Sequence, residues 1–169
     1  MRRLRDPCRA PAPSVLTRLA EHHPGLRVEI AHREAGPAFA GLLAHEFDVV
    51  LGEEYPGTAH PPVAGARTHL LANDELFTVF PAHGRYAVGG EAGEQLRLAD
   101  LAGVPWTFDP ADTGPGQWAR NACREAGFEP DVRYEASDLL LQIHLAETGH
   151  AAAVIPGLLL AAVPRQPQD

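Results

Sequence analysis

At 169 residues the chain is long enough for one domain, or for two small lobes that share a core and exchange strands. Hydrophobic residues make up 45% and charged residues 21%, ordinary globular usage that excludes a disordered, highly charged chain. Fourteen basic against twenty-two acidic residues give a net charge of -8, which repels a phosphate backbone unless the basic residues gather on one face. They gather only at Arg2, Arg3, Arg5 and Arg9, in a Pro-rich tail that reads as a solvated terminus.

The two cysteines, Cys8 and Cys123, stand far apart without CxxC or zinc-type spacing, so neither a disulfide framework nor a structural metal is indicated, and a reducing cytoplasm fits. No apolar run approaches membrane-spanning length. The first arginines lead into Asp6-Pro7-Cys8 rather than an apolar stretch, which argues against a signal peptide.

From Ser14 to His23 the apolar Val15, Leu16 and Leu19 recur at helical spacing, with Ser14 as N-cap and Pro24-Gly25 as the stop. Leu26-Arg27-Val28-Glu29-Ile30 alternates like a strand with one buried face. Phe39, Leu42 and Leu43 form a second helical stripe, followed by Asp48-Val49-Val50-Leu51-Gly52, a short continuous apolar run suited to a strand buried on both sides. Residues 53–66 read as a Gly- and Pro-rich loop, Leu76 to Pro81 as a strand, and residues 82–94 as a surface loop.

A second alternation follows: a short helical turn at Leu98 to Leu101, a strand at Val104 to Phe108, and a helix from Pro115 to Ala126 burying Trp118, Ala122 and Ala126. Val132, Tyr134 and Ala136 alternate as another strand. Ser137 caps a helix carrying Leu139, Leu140, Ile143 and Ala146, and Gly149 ends it. Ala151 to Pro156 forms a last strand before an apolar stretch from Leu158 to Val163. The helix–strand alternation implies an α/β sheet with right-handed crossovers.

Three stretches, in this order and spacing, resemble the effector-binding domain of LysR-type transcriptional regulators: Leu19 to Ile30 with His23-Pro24-Gly25 at its centre, Leu98-Ala99-Asp100-Leu101-Ala102-Gly103, and Ala146 to Pro156, with Asp48 to Gly52 between the first two. The resemblance covers roughly Ser14 to Pro156. It implies a type 2 periplasmic-binding-protein-like α/β fold, two Rossmann-like lobes joined by two crossover strands with the effector in the cleft between them. Residues 1–13 are then a polar tail, 14–72 plus 153–169 lobe I, and 73–152 lobe II. It further implies a cytoplasmic homodimer, residues 14–30 of one copy pairing with residues 137–148 of the other, and DNA contact only through a winged-helix domain absent from this chain.

The chain departs from that pattern at both ends. The first strand of lobe I should fall near Met1 to Leu4, which is too polar for a sheet centre, and Pro164 to Asp169 cannot supply the last strands, so lobe I is expected to be incomplete. A truncated regulator, a degraded gene or a misassigned start are the corresponding expectations. A non-functional fragment, a solute-binding protein and an enzyme on the same scaffold are the competing readings.

In such a fold polar ligand groups sit at helix N-termini and strand-to-helix loops, where free N–H groups and the helix dipole favour an anion. The candidate ligand-binding residues are Ser14, Asp109, Thr113 and Ser137, each of which also reads as a cap or turn residue. Asp109 and Asp112 would oppose a bound carboxylate, so an anionic effector needs that loop turned away or a compensating cation such as Arg120. No catalytic residue, metal ligand or cofactor is assigned. The nine histidines lack HExxH or zinc spacing, and Gly114-Pro115-Gly116 lacks the Lys-Ser/Thr of a phosphate loop. Trp106 and Trp118 read as core.

Overall fold

The computed structural model describes residues 11–57, 64–89 and 96–162. Met1 to Leu4, the arginines and Cys8 of the tail, His60 and Pro164 to Asp169 lie outside the described residues. The chain divides into two compact units, with the divisions at Glu53/Glu54, Asp74/Glu75 and Gly157/Leu158; residues 54–57 also belong to the second unit. Among the described residues no helix is long and apolar enough to cross a membrane.

The first unit carries α1 (Pro11–His22) and α2 (Ala35–Leu43). α1 begins three residues before Ser14, so Ser14 lies inside the helix and is not its N-cap. In α2 the small residues Ala38 and Gly41 are buried, and Phe47 lies so close to Gly41 that a Cβ there would come within 2.6 Å of its ring. The two expected strands are absent: Leu26 to Ile30 and Asp48 to Gly52 form no ladder among the described residues. Ile30, on the face expected to be buried, is 69% exposed, and Val49, in the run expected to be buried on both sides, is 73% exposed. Hydrophobic pattern sets which face a strand would bury, but only a partner's N–H and C=O groups make it a strand, and among the described residues none forms a ladder with these segments.

The second unit is built on four short strands. β1 (Leu76–Val79) runs antiparallel to β4 (Ala153–Pro156), from Leu76 opposite Pro156 to Val79 opposite Ala153. β2 (Trp106–Phe108) runs parallel to β3 (Val132–Glu135). A bridge from Trp106 to Ala152 lies on the other side of β2, made by Thr107 N–H donating to Ala152 O at 2.8 Å and Ala152 N–H to Pro105 O at 2.7 Å. β2 is thus flanked on both sides and wholly buried.

Around β2 gather Leu101, Val104, Trp106, Phe108, Ala119, Cys123 and Ala152, all buried, with Phe128 stacked on Trp106 at 6.1 Å between ring centroids. Burying a side chain such as Phe108 contributes about 1.5–3 kcal/mol. Two polar atoms in this interior, Trp106 Nε1 and Thr107 Oγ1, have no hydrogen-bond partner among the described residues. The expected turn at Leu98–Leu101 is a 3-10 turn whose Asp100 accepts from the Arg97 backbone N–H at 2.9 Å. The Arg97 side chain also bonds Asp100, and these hydrogen bonds hold its carboxyl below the ordinary aspartate range.

α3 (Gly114–Glu125) buries Gly116, Ala119 and Cys123, one position round the helix from the expected stripe; Trp118, Ala122 and Ala126 are only half-buried. The smallest side chains face inward because the backbone of the preceding loop presses against them. A Cβ on Gly116 would lie 2.1 Å from Pro110 O and 2.6 Å from Asp109 O. α4 (Leu139–Glu147) buries Gln142, Ile143 and Ala146, while Leu140 is 56% exposed rather than core. Gly149 ends the helix as expected, at φ +83, with His150 N–H donating to Leu145 O at 2.8 Å. The apolar stretch after β4 is a short helix, α5 (Gly157–Ala162), whose Leu158 N–H donates to Asp74.

Replacing Gly116 by Ala should lower unfolding free energy by about 1–3 kcal/mol, the usual cost of overpacking. Gly103→Ala, where an added Cβ meets nothing within 4 Å, should stay within about 0.5 kcal/mol. Urea unfolding of the two variants checks the contrast.

Candidate functional site

Parallel strands place their carboxyl ends at one edge of a sheet, and the loops leaving that edge are where α/β proteins bind ligands. Here β2 leads through residues 109–113 into α3, and β3 leads through residues 136–138 into α4. Ala136 N–H donates to Phe108 O at 3.0 Å, so the two loops start side by side.

The Gln142 side chain, 1% exposed, joins them. Its Nε2 donates to Ala136 O at 2.7 Å and to Asp109 Oδ2 at 3.1 Å, using both donors of one buried amide on the two loops. The largely buried Arg120 ties the same loop to α3: Nη1 donates to Asp109 O at 3.0 Å and to Gly116 O at 2.9 Å. Its Nη2 pairs with Glu135 at the end of β3, and its guanidinium lies 5.7 Å from the Phe108 ring centroid.

Both helix starts are capped from within. Thr113 is the N-cap of α3: its hydroxyl accepts from Gly116 N–H at 3.2 Å and donates to Pro110 O at 2.7 Å. α4 is capped by Asp138 and not by Ser137. Asp138 Oδ1 accepts from Leu140 N–H at 2.9 Å and Leu141 N–H at 3.3 Å, while Ser137 is exposed one residue earlier. Caps of this kind are worth about 0.5–2 kcal/mol each.

A small pocket opens beside these loops, with Tyr55, Phe108, Asp109, Trp118, Leu139 and Gln142 among its walls and a volume of about 10 Å³, room for about one water molecule. Tyr55 and Trp118 face each other with centroids 5.8 Å apart and planes tilted by 44°. Trp118 is therefore an aromatic wall as well as a packing residue. Cys123, on the buried face of α3, has its thiol pushed up to about 11 chiefly by burial, which leaves it a packing residue and not a nucleophile at neutral pH.

Of the residues singled out in the sequence, Asp109, Thr113 and Ser137 fall on these two adjacent loops, and Ser14 belongs to the first unit. Gln142, Tyr55 and Asp138 were not singled out. Gln142 stands three residues after Leu139 and four before Ala146, on the buried stripe of α4, and that spacing is the signal that marks it. Among the described residues no group of three or more His, Cys, Asp or Glu is placed to hold a metal ion.

The family model described as LysR substrate binding domain matches residues 5–168. No curated protein matches the chain. Solved structures do: HinK, a LysR family transcriptional regulator from Pseudomonas aeruginosa, is 18% identical with a TM-score of 0.68 over 92% of this chain and 49% of its own. The C-terminal domain of a probable LysR family transcriptional regulator from Rhodococcus sp. RHA1 is 24% identical, TM-score 0.63, over 85% of this chain and 65% of its own. The BenM effector binding domain with its effector benzoate is 16% identical, TM-score 0.66, over 90% and 66%. The chain thus spans about half of a full regulator and two-thirds of an isolated effector domain. These neighbours have the type 2 periplasmic-binding-like fold, and the likeness gives the chain that fold.

Proposed function

The chain belongs to the LysR substrate-binding domain family, and from that premise we propose that it senses a small-molecule effector at the loops that follow β2 and β3. The observation that carries this reading is the buried Gln142 amide bonded to both loops at once. A ligand that moves either loop moves the other, which is what a sensor requires of its site. Asp109, Thr113 and Ser137 are the proposed contacts on this unit; Ser14, the fourth residue expected from the sequence, belongs to the first unit. The proposal includes no catalytic step. It puts the protein in the cytoplasm, with any contact to DNA made outside these 169 residues.

The anion expected at the helix N-termini is not favoured by the local charges. Gly116 N–H is bonded to Thr113, Leu140 and Leu141 N–H to Asp138, and Arg120 is paired with Glu135. A carboxylate would have to displace these partners and lie beside Asp109 and Asp138.

Screening the full chain against small organic molecules by thermal shift tests the reading. An effector at a hundred times its dissociation constant should add about 2.7 kcal/mol of stability. Ser137 is not the cap, so Ser137→Ala should leave stability within about 0.5 kcal/mol while weakening that binding by about 0.5–1.5 kcal/mol. Absence of any binder, or binding indifferent to Ser137, Thr113 and Asp109 substitutions, contradicts the site.

Two copies are further proposed to pair, residues 14–30 of one against α4 of the other, where Leu140 and Leu141 present exposed apolar surface. Sedimentation equilibrium should show a dimer that Leu141→Glu dissociates. A strict monomer at high concentration rules the pairing out.

A further inference from the structure

Leu26-Arg27-Val28-Glu29-Ile30 has the alternation that puts three apolar residues on one face of an extended chain and two charges on the other. The Arg27 guanidinium and the Glu29 carboxylate meet at 2.5 Å, as side chains two residues apart on one face can, and both are largely exposed. On the apolar side Leu26 is 55% exposed, Val28 42% and Ile30 69%. Leu26 N–H donates to His23 O, but among the described residues no backbone–backbone hydrogen bond uses an N–H or C=O from Arg27 to Ile30. A bare strand edge beside a bare apolar face is a template for another strand.

The order of the residues says which strand fits. Laid antiparallel on a second copy about Val28, the segment sets Leu26 opposite Ile30, Val28 opposite Val28, and Arg27 opposite Glu29 on both sides of the centre. Apolar pairs and opposite charges directly across from each other are the pairs that stabilise a sheet, whereas like charges there destabilise it. The contact is isologous, so it closes at two copies. Asp48 to Gly52 lacks this symmetry, since its one charge would face Gly52. The local shape meets the same register. An open cleft of about 580 Å³ is lined by Leu19, His23, Gly25 and Leu26, and the residue set across from Leu26 is Ile30 of the other copy, the most exposed of the three apolar side chains.

We propose that residues 26–30 are a self-complementary edge on which a second copy of this chain docks as an antiparallel strand, with Val28 on the two-fold axis. The docking uses backbone groups along the edge. A helix has its own N–H and C=O groups bonded within itself, so this contact is additional to the pairing with α4.

The test is oxidative cross-linking of the full chain carrying Cys8→Ser, with Cys123 left in place because it is buried. Opposite residues of an antiparallel pair have Cα atoms about 4.5–5.5 Å apart, within the range a disulfide spans. Val28→Cys should therefore give a covalent dimer. Arg27→Cys should not, because the two copies of residue 27 lie about 8 Å apart in this register. In the Val28→Cys chain, Arg27→Glu or Glu29→Arg sets like charges across the axis and should each reduce cross-linking about tenfold. An equimolar mixture of those two variants restores opposite charges at both positions and should cross-link as the parent does. Residues 27 to 29 are exposed, and a melting temperature matching the parent's checks that each variant folds. Cross-linking at residue 27 as readily as at residue 28, single variants that behave as the parent, or a folded mixture that stays uncross-linked overturns the proposal.

Discussion

A primary amide buried to within 1% of full occlusion has to place both of its N–H groups on acceptors, and Gln142 places them on Asp109 and Ala136. Leaving one unmade would cost about 1–3 kcal/mol, so the two acceptors are held where the amide needs them. The other features of the carboxyl edge follow from that constraint. With Asp109 fixed, its carbonyl lies within reach of Arg120, and the Asp109-Pro110 backbone passes so close to α3 that only glycine fits at position 116. With Ala136 fixed, Asp138 stands one turn below Gln142 and caps α4. The pocket is what remains between these pieces and the Tyr55–Trp118 pair.

How far the sequence discloses this varies with the range of the interaction that decides each feature. The 3-10 turn at Leu98–Leu101 and the end of α4 at Gly149 are set by neighbours in the chain, and local pattern finds them; the strands at Leu76 and Ala153 have strand-like composition and also have each other as partners. The cap of α4 is a contest between adjacent Ser137 and Asp138, both capping residues, and it turns on which one's backbone is extended at the first turn; Asp138 has φ -83 and ψ 103. The inward face of α3 lies one position from the expected one because Trp118, the bulkiest side chain of the helix, offers far more area to bury than Gly116, Ala119 and Cys123. Packing room, and not hydrophobicity, decides there. Gln142 escaped because a polar residue on a helix reads as solvent-facing until its acceptors, thirty-three and six residues away, are known.

The first unit shows the opposite limit. Leu26 to Ile30 and Asp48 to Gly52 have the composition of strands, yet among the described residues they have no strand partner, and Val28, Ile30, Val49 and Leu51 are exposed. Alternation specifies a face, and only pairing specifies a strand, so a pattern of this kind discloses a sheet only where a partner is present. The second unit has its partners, β2 lying between Ala152 and β3, and there the α/β architecture expected from the sequence is formed. The loops, caps and pocket of the candidate site lie on that second unit.

Everything proposed for the site depends on Gln142 coupling the two loops, and a double-mutant cycle measures that coupling directly. Urea unfolding of the native chain, Asp109→Ala, Gln142→Ala and the double variant should give an interaction energy of about 1.5–3 kcal/mol, that of a hydrogen bond to a charged group. Additive effects, with an interaction energy within about 0.3 kcal/mol of zero, would show that the loops are held by something else and would contradict the account.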